Sequence, residues 1–124
     1  MRNLLVLVFT VVTLSAFSQS APKQLTTSTF YKAINTGVVI VEFDASFAEP
    51  FADWADIEDC KYYRVDIEKY PDLKEDFKVR SVPSIYLFYN GEVEKKWRAN
   101  IMLELDVEVE EIQEEIEELL GSRF

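Results

Sequence analysis

The chain has 124 residues, 48% of them apolar and 14% aromatic, a composition that supports one domain with a core of its own and excludes a disordered chain. Its 23 acidic residues outnumber 13 basic ones for a formal charge of −10, which repels phosphate backbones and anionic lipid surfaces and argues against nucleic acid as a partner. It has no histidine, so the usual zinc ligand, the Ser-His route to a nucleophile and the commonest general base at neutral pH are all missing, and most hydrolase templates go with them.

Met1-Arg2-Asn3 places one positive charge before Leu4 to Phe17, an apolar run without ionisable groups that ends among the small residues Ala16, Ser18 and Ser20. That order is the pattern of a secretory signal peptide over residues 1–20, and the run is short of the roughly 20 apolar residues that span a bilayer. No cysteine follows it to carry a lipoprotein's acyl chain. The expectation is an exported protein, periplasmic or secreted, with one domain over residues 21–124 and no stable membrane insertion once the signal is removed. Loss of Arg2 moves the charge from −10 to −11.

Ala21 to Gln24 reads as a short polar lead. Thr26 to Thr29 offers hydroxyls to cap a helix running through Ile34, with Phe30 and Ile34 on one face and Gly37 suited to the left-handed conformation after its end. Val38 to Phe43 is a β-branched run, as a central strand covered on both faces requires. Ser46 to Asp59 reads as a loop entering a helix of a turn or two, with Pro50 at a first-turn position and apolar contacts from Phe51, Trp54, Ala55 and Ile57. Tyr62 to Ile67 alternates like a strand, and Tyr70 to Phe77 opens on Pro71 and spaces Leu73 and Phe77 as a helix does. Ser84 to Tyr89 is a second strong strand, Asn90-Gly91 a tight hairpin, and Glu92 to Arg98 the return strand, with Val93 and Trp97 alternating against Glu94 and Lys96. Asp106 to Leu120 places Val109, Ile112, Ile116, Leu119 and Leu120 on one helical stripe, with glutamates on a solvated outer face. Strands alternating with helices predict an α/β fold, a central mixed β-sheet flanked by helices.

Cys60 is the single cysteine, so no intramolecular disulfide forms. It reads as a small, partly buried hydrophobe. The alternative, a thiol that pairs with another molecule, is opposed by Glu58 and Asp59, which disfavour a thiolate, and helped by Lys61.

The element order, with a proline just before the penultimate strand, resembles thioredoxin along nearly the whole of residues 21–124. Val41-Glu42-Phe43-Asp44-Ala45-Ser46-Phe47 is similar to the family's central strand running into its active-site loop, Val79-Arg80-Ser81-Val82-Pro83-Ser84 to its cis-proline loop, and Asn90-Gly91-Glu92 to its hairpin. Where the family's loop reads Trp-Cys-Gly-Pro-Cys, this chain has Phe47-Ala48-Glu49-Pro50-Phe51, and only the proline is kept. The family's reaction needs a thiol whose pKa is lowered at a helix N-terminus and a second thiol to resolve the mixed disulfide, and Ala48 and Phe51 supply neither. Cys60, nine residues beyond Phe51, does not replace them.

Further departures are Asp44 and Phe47 in place of tryptophans and Glu49 in place of glycine. Glu42 falls where the family keeps a buried aspartate. It reads as a satisfied buried acid, or as part of a hard-cation site with Asp44 and Glu49. In the family the backbone before the cis proline pairs with an extended peptide, so Phe47, Ala48, Glu49, Pro50, Phe51, Trp54, Val82 and Pro83 are the candidate binding residues. The leading expectation is a redox-inactive module that binds an exported polypeptide or protein, without a cofactor. The alternatives are a thiol-dependent oxidoreductase acting through Cys60 alone and a structural or assembly subunit using its acidic last helix.

Overall fold

The computed structural model describes residues 21–121, and the expected signal segment 1–20 lies outside the described residues. Five strands, β1 (Lys23–Gln24), β2 (Val38–Asp44), β3 (Lys61–Asp66), β4 (Ser84–Tyr89) and β5 (Glu92–Arg98), form one sheet in the order β1-β3-β2-β4-β5. β1 and β2 run parallel to β3, and β4 is antiparallel to β2 and β5. The α/β mixed sheet expected from the sequence is therefore present. All seven residues of β2 are buried, as its β-branched composition demands of a strand in the middle of a covered sheet.

Two helices, α1 (Thr27–Ile34) and α2 (Pro71–Asp76), cover one face, and α3 (Val109–Gly121) with the short 3-10 helix Ala52–Asp56 covers the other. Thr26 caps α1, its N–H donating to Thr29 Oγ1 at 2.9 Å. Gly37 follows that helix at φ +76°, and its N–H donates to Asn90 Oδ1 at 2.7 Å while Asn90 N–H donates back to the Gly37 carbonyl at 3.0 Å. Asn90 and Gly91 both have positive φ, as a tight β4–β5 turn requires. The hairpin tip is thus tied to the end of α1.

The first face buries aromatic rings. Phe30, Phe43, Tyr86 and Phe88 are fully buried there with Leu73, and Phe77 packs among them with ring centroids 5.0–6.4 Å apart. The second face is aliphatic: Val38, Ile40, Ile85 and Leu87 meet Ile112 and Ile116 of α3.

The structure departs from expectation in four places. Lys23 and Gln24, read as part of a polar lead, pair with Tyr63 and Arg64 as an edge strand, since an exposed edge needs no apolar pattern. α3 begins at Val109 rather than Asp106, because Val107 is buried as an anchor and the Glu108 carbonyl accepts the first helical bonds from Glu111 and Ile112. Pro50 stands before the 3-10 helix rather than in its first turn. Finally, a bulge between Leu87 and Phe88 pairs Lys95 with the first and Val93 with the second. The extra residue sends Val93 to the aromatic face and Trp97 to the aliphatic one, so the two are not on one side as plain alternation implies. Among the described residues no helix is long and apolar enough to cross a membrane.

Candidate functional site

The loop leaving β2 is pinned at both ends by carboxylates. Glu68 Oε1 accepts from the N–H and the hydroxyl of Ser46 at 2.9 and 2.8 Å. Glu42 Oε2 accepts from the N–H of Phe51 at 2.8 Å. Between these points Ala48 packs against the aromatic core and Phe51 against the aliphatic one, while Glu49 and Pro50 are exposed and Phe47 is 63% exposed.

Glu42 is fully buried, yet its oxygens are all engaged. Besides the Phe51 N–H, Tyr62 donates its hydroxyl to Oε1 at 2.7 Å and Arg64 its guanidinium at 3.0 Å. A buried acid with a paired cation and two further donors is the arrangement that makes such burial tolerable. Burial first, then the charge and hydrogen bond of Glu42, push the Tyr62 phenol far above its ordinary range, so it stays a donor. Trp54 lies over this cluster, its ring 5.5 Å from that of Tyr62.

Asp44 ends β2 and stands in register with Asp66 of β3. Burial raises its carboxyl above the ordinary range, with the neighbouring Glu42 and Asp66 adding to the rise and the Ala45 N–H opposing it. Glu42, Asp44 and Glu49 are not gathered into a ligand set: Glu42 is committed to three protein donors and Glu49 lies out on the loop. Among the described residues no group of three or more acidic or cysteine side chains is placed to hold a metal ion.

The Val82–Pro83 peptide bond is cis, Val82 is buried, and the Pro83 carbonyl accepts from Ala99 N–H at 3.1 Å. Beyond β5 a tight loop stands beside it. Asn100 Oδ1 accepts from the N–H groups of Met102 and Glu104 at 2.8 and 3.1 Å, Leu103 N–H donates to the Asn100 carbonyl at 3.0 Å, and Leu103 itself is left-handed at φ +62°. Ile101, Met102 and Leu103 are 99%, 72% and 39% exposed. An open, mainly apolar groove of about 550 Å³ runs between Phe47, Pro71, Val79, Val82 and Leu103. A smaller depression of about 340 Å³, also touching Leu103, is lined by Glu49, Pro50, Phe51 and Pro83.

The fold thus brings Phe47 and Val82 to one groove, and Glu49, Pro50, Phe51 and Pro83 to the depression beside it. Ala48 is tucked into the core, and Trp54 lines neither, being drawn onto Tyr62. The sequence reading missed Leu103, which lines both, and the exposed Ile101 and Met102 that precede it. Their signal was three consecutive apolar residues between a polar strand and an acidic helix, outside any periodic pattern. Cys60 lies apart, half-buried against the aliphatic core, where burial and then the charge of Asp59 push its thiol up to about 12.

Compared by sequence, the chain matches no family model and no curated protein. Compared by structure, it is similar to a mutant thioredoxin from Halobacterium salinarum NRC-1, with a TM-score of 0.64, 19% identity, and coverage of 80% of this chain and 90% of that one. It is also similar to the Malassezia sympodialis thioredoxin Mala s 13 at a TM-score of 0.59 and 17% identity, over 81% of this chain and 91% of that one. Chlamydomonas reinhardtii thioredoxin f2 matches at a TM-score of 0.58 and 16% identity, over 63% and 83%. The chain has the thioredoxin-like fold, and it carries that fold with a single cysteine.

Proposed function

We propose that this protein is an exported, redox-inactive thioredoxin-like module that binds a polypeptide partner over the surface made by Phe47 to Phe51, Val82-Pro83 and Leu103. The observation that carries this reading is Phe47: a large ring left 63% exposed at the mouth of an apolar groove, on a loop fastened at Ser46 and Phe51. A fastened loop loses little conformational freedom on binding, which favours recognition. At the two positions where thioredoxins carry thiols this chain has Ala48 and Phe51, both turned toward the cores. A thiol-dependent reaction through Cys60 is less well supported, because a thiol raised to about 12 is almost wholly protonated at neutral pH. Export rests on the signal pattern of residues 1–20.

The test joins two measurements on the purified protein. Reduction of a disulfide-bonded protein substrate is expected to be absent in the natural chain and in Cys60→Ala, and to appear when Ala48→Cys and Phe51→Cys are combined. Activity of the natural chain that vanishes in Cys60→Ala would make Cys60 catalytic and overturn the redox-inactive reading. A fluorescent extended peptide rich in apolar residues is expected to bind the natural chain and to lose that binding in Phe47→Asp, and equal binding by both would remove the groove from the account.

A further inference from the structure

The charge around the apolar groove runs against that of the molecule. In a chain of formal charge −10, the groove and the shallow surface continuous with it carry Lys74, Lys78 and Arg80 against Glu68 and Glu75. None of the three cations makes an ion pair among the described residues, where the two salt bridges are Arg64 with Glu42 and Lys95 with Glu115. The reason lies in how the nearby acids are used. Asp72 Oδ1 accepts from the Thr27 hydroxyl at 3.0 Å and Asp76 Oδ2 from the Tyr31 hydroxyl at 2.7 Å, so the two aspartates of α2 are turned to α1. Glu68 is held by Ser46. Lys74 and Arg80 are exposed and line the same groove as Phe47 and Leu103, with free ammonium and guanidinium groups.

From this we infer that the groove selects polypeptide segments in which an apolar side chain is flanked by carboxylates, the apolar group seating against Phe47, Val82 and Leu103 and the carboxylates meeting Lys74 and Arg80. The inference rests on the polypeptide-binding reading of the same groove and adds the chemistry of the partner. Apolar contact supplies most of the affinity, and the cations supply choice between partners and faster encounter. An acidic host gains from this local reversal, because its net charge of −10 otherwise disfavours acidic segments.

The experiment uses three short fluorescent peptides that share an apolar centre and differ only in flanks of Asp and Glu, of Ser, or of Lys. Anisotropy titrations with the purified protein are expected to rank them acidic, neutral, basic, with the acidic peptide favoured over the basic one by about threefold to tenfold at low salt and the preference fading at high salt. The combined Lys74→Glu and Arg80→Glu variant is expected to reverse the ranking, and Lys74→Gln with Arg80→Gln to flatten it, both keeping the circular dichroism of the natural chain. If all three peptides bind alike and Phe47→Asp abolishes binding of each, the groove reading stands and the charge inference falls. If none binds, both fall. Sedimentation of the same samples covers the remaining occupant: a homodimer dissolved by Phe47→Asp would assign the groove to a second copy of this chain and overturn the proposal.

Discussion

The two faces of the sheet solve the same burial problem differently. Toward α1 and α2 the interior is a cluster of rings with Leu73 and valines, and its buried polar groups reach backbone, as when the Tyr86 hydroxyl donates to the Phe77 carbonyl at 2.8 Å. Toward α3 the interior is aliphatic at one end and ionic at the other, where Glu42, Arg64 and Tyr62 meet beneath the β2 loop. On the aromatic face the rings hold the fold, while Val79 and Val82 of the same cluster also line the groove. The ionic end also holds the loop, through the bond from Phe51 N–H to Glu42, so a change in the core there reaches the groove surface.

That contrast is best broken by truncation on each side. Phe30→Ala, at a fully buried ring with aromatic neighbours, is expected to cost about 3–5 kcal/mol in a denaturant titration and to leave peptide binding by the remaining folded protein unchanged. Glu42→Ala leaves the Arg64 guanidinium largely buried without its partner, for a cost of about 3–5 kcal/mol, and it also frees the Phe51 N–H. Its distinguishing readout is a loss of groove affinity measured where the protein is still fully folded. If Glu42→Ala lowers stability alone, the loop is held by other contacts and the two faces do not differ in function.

Smaller changes sharpen the picture. Tyr62→Phe removes one donor from Glu42 while keeping the ring under Trp54, and is expected to cost about 1–2 kcal/mol by thermal melting. Asp44→Asn has the opposite sign. Because the folded protein raises the Asp44 carboxyl, its contribution is most favourable below the unfolded carboxylate pKa and is lost as pH rises through the folded one. The variant is therefore expected to melt higher than the natural chain at neutral pH, with the gain shrinking in acid, and no gain at neutral pH would show the charge to be well solvated.

The smallest effect is expected at Tyr31, whose phenol donates to Asp76 on the exposed side of the aromatic face. That hydrogen bond is the largest cause of a rise to about 12, ahead of burial and the charges of Asp76 and Asp72. The stability it adds is full below the phenol's ordinary pKa of about 10 and is lost as pH climbs through about 12. Tyr31→Phe is expected to cost less than about 1 kcal/mol, and ultraviolet difference titration of the two proteins isolates this phenol's late ionisation.

Local chemistry made most of the architecture legible. A β-branched run reads as a covered strand wherever it sits, Asn90-Gly91 accepts positive φ without strain, and Pro71 begins a helix by its own geometry, so strands β2 to β5, helices α1 to α3 and the hairpin could be read without knowing what they touch. The missing thiols were equally plain, since a residue's identity needs no fold. Other features came only from long-range contact. The edge strand at Lys23 needs β3 beside it, the bulge that parts Val93 from Trp97 exists only against β4, and the acid Glu42 is satisfied by donors 9, 20 and 22 residues away in sequence. The groove is the extreme case: the resemblance joined Phe47 and Val82, but Pro71 and Leu103 come from separate stretches that share no pattern with them. The sequence determined which elements form and what chemistry is absent, because those follow from each residue and its near neighbours. The tertiary structure decided which side chains meet, because folding alone sets distances between residues far apart in the chain.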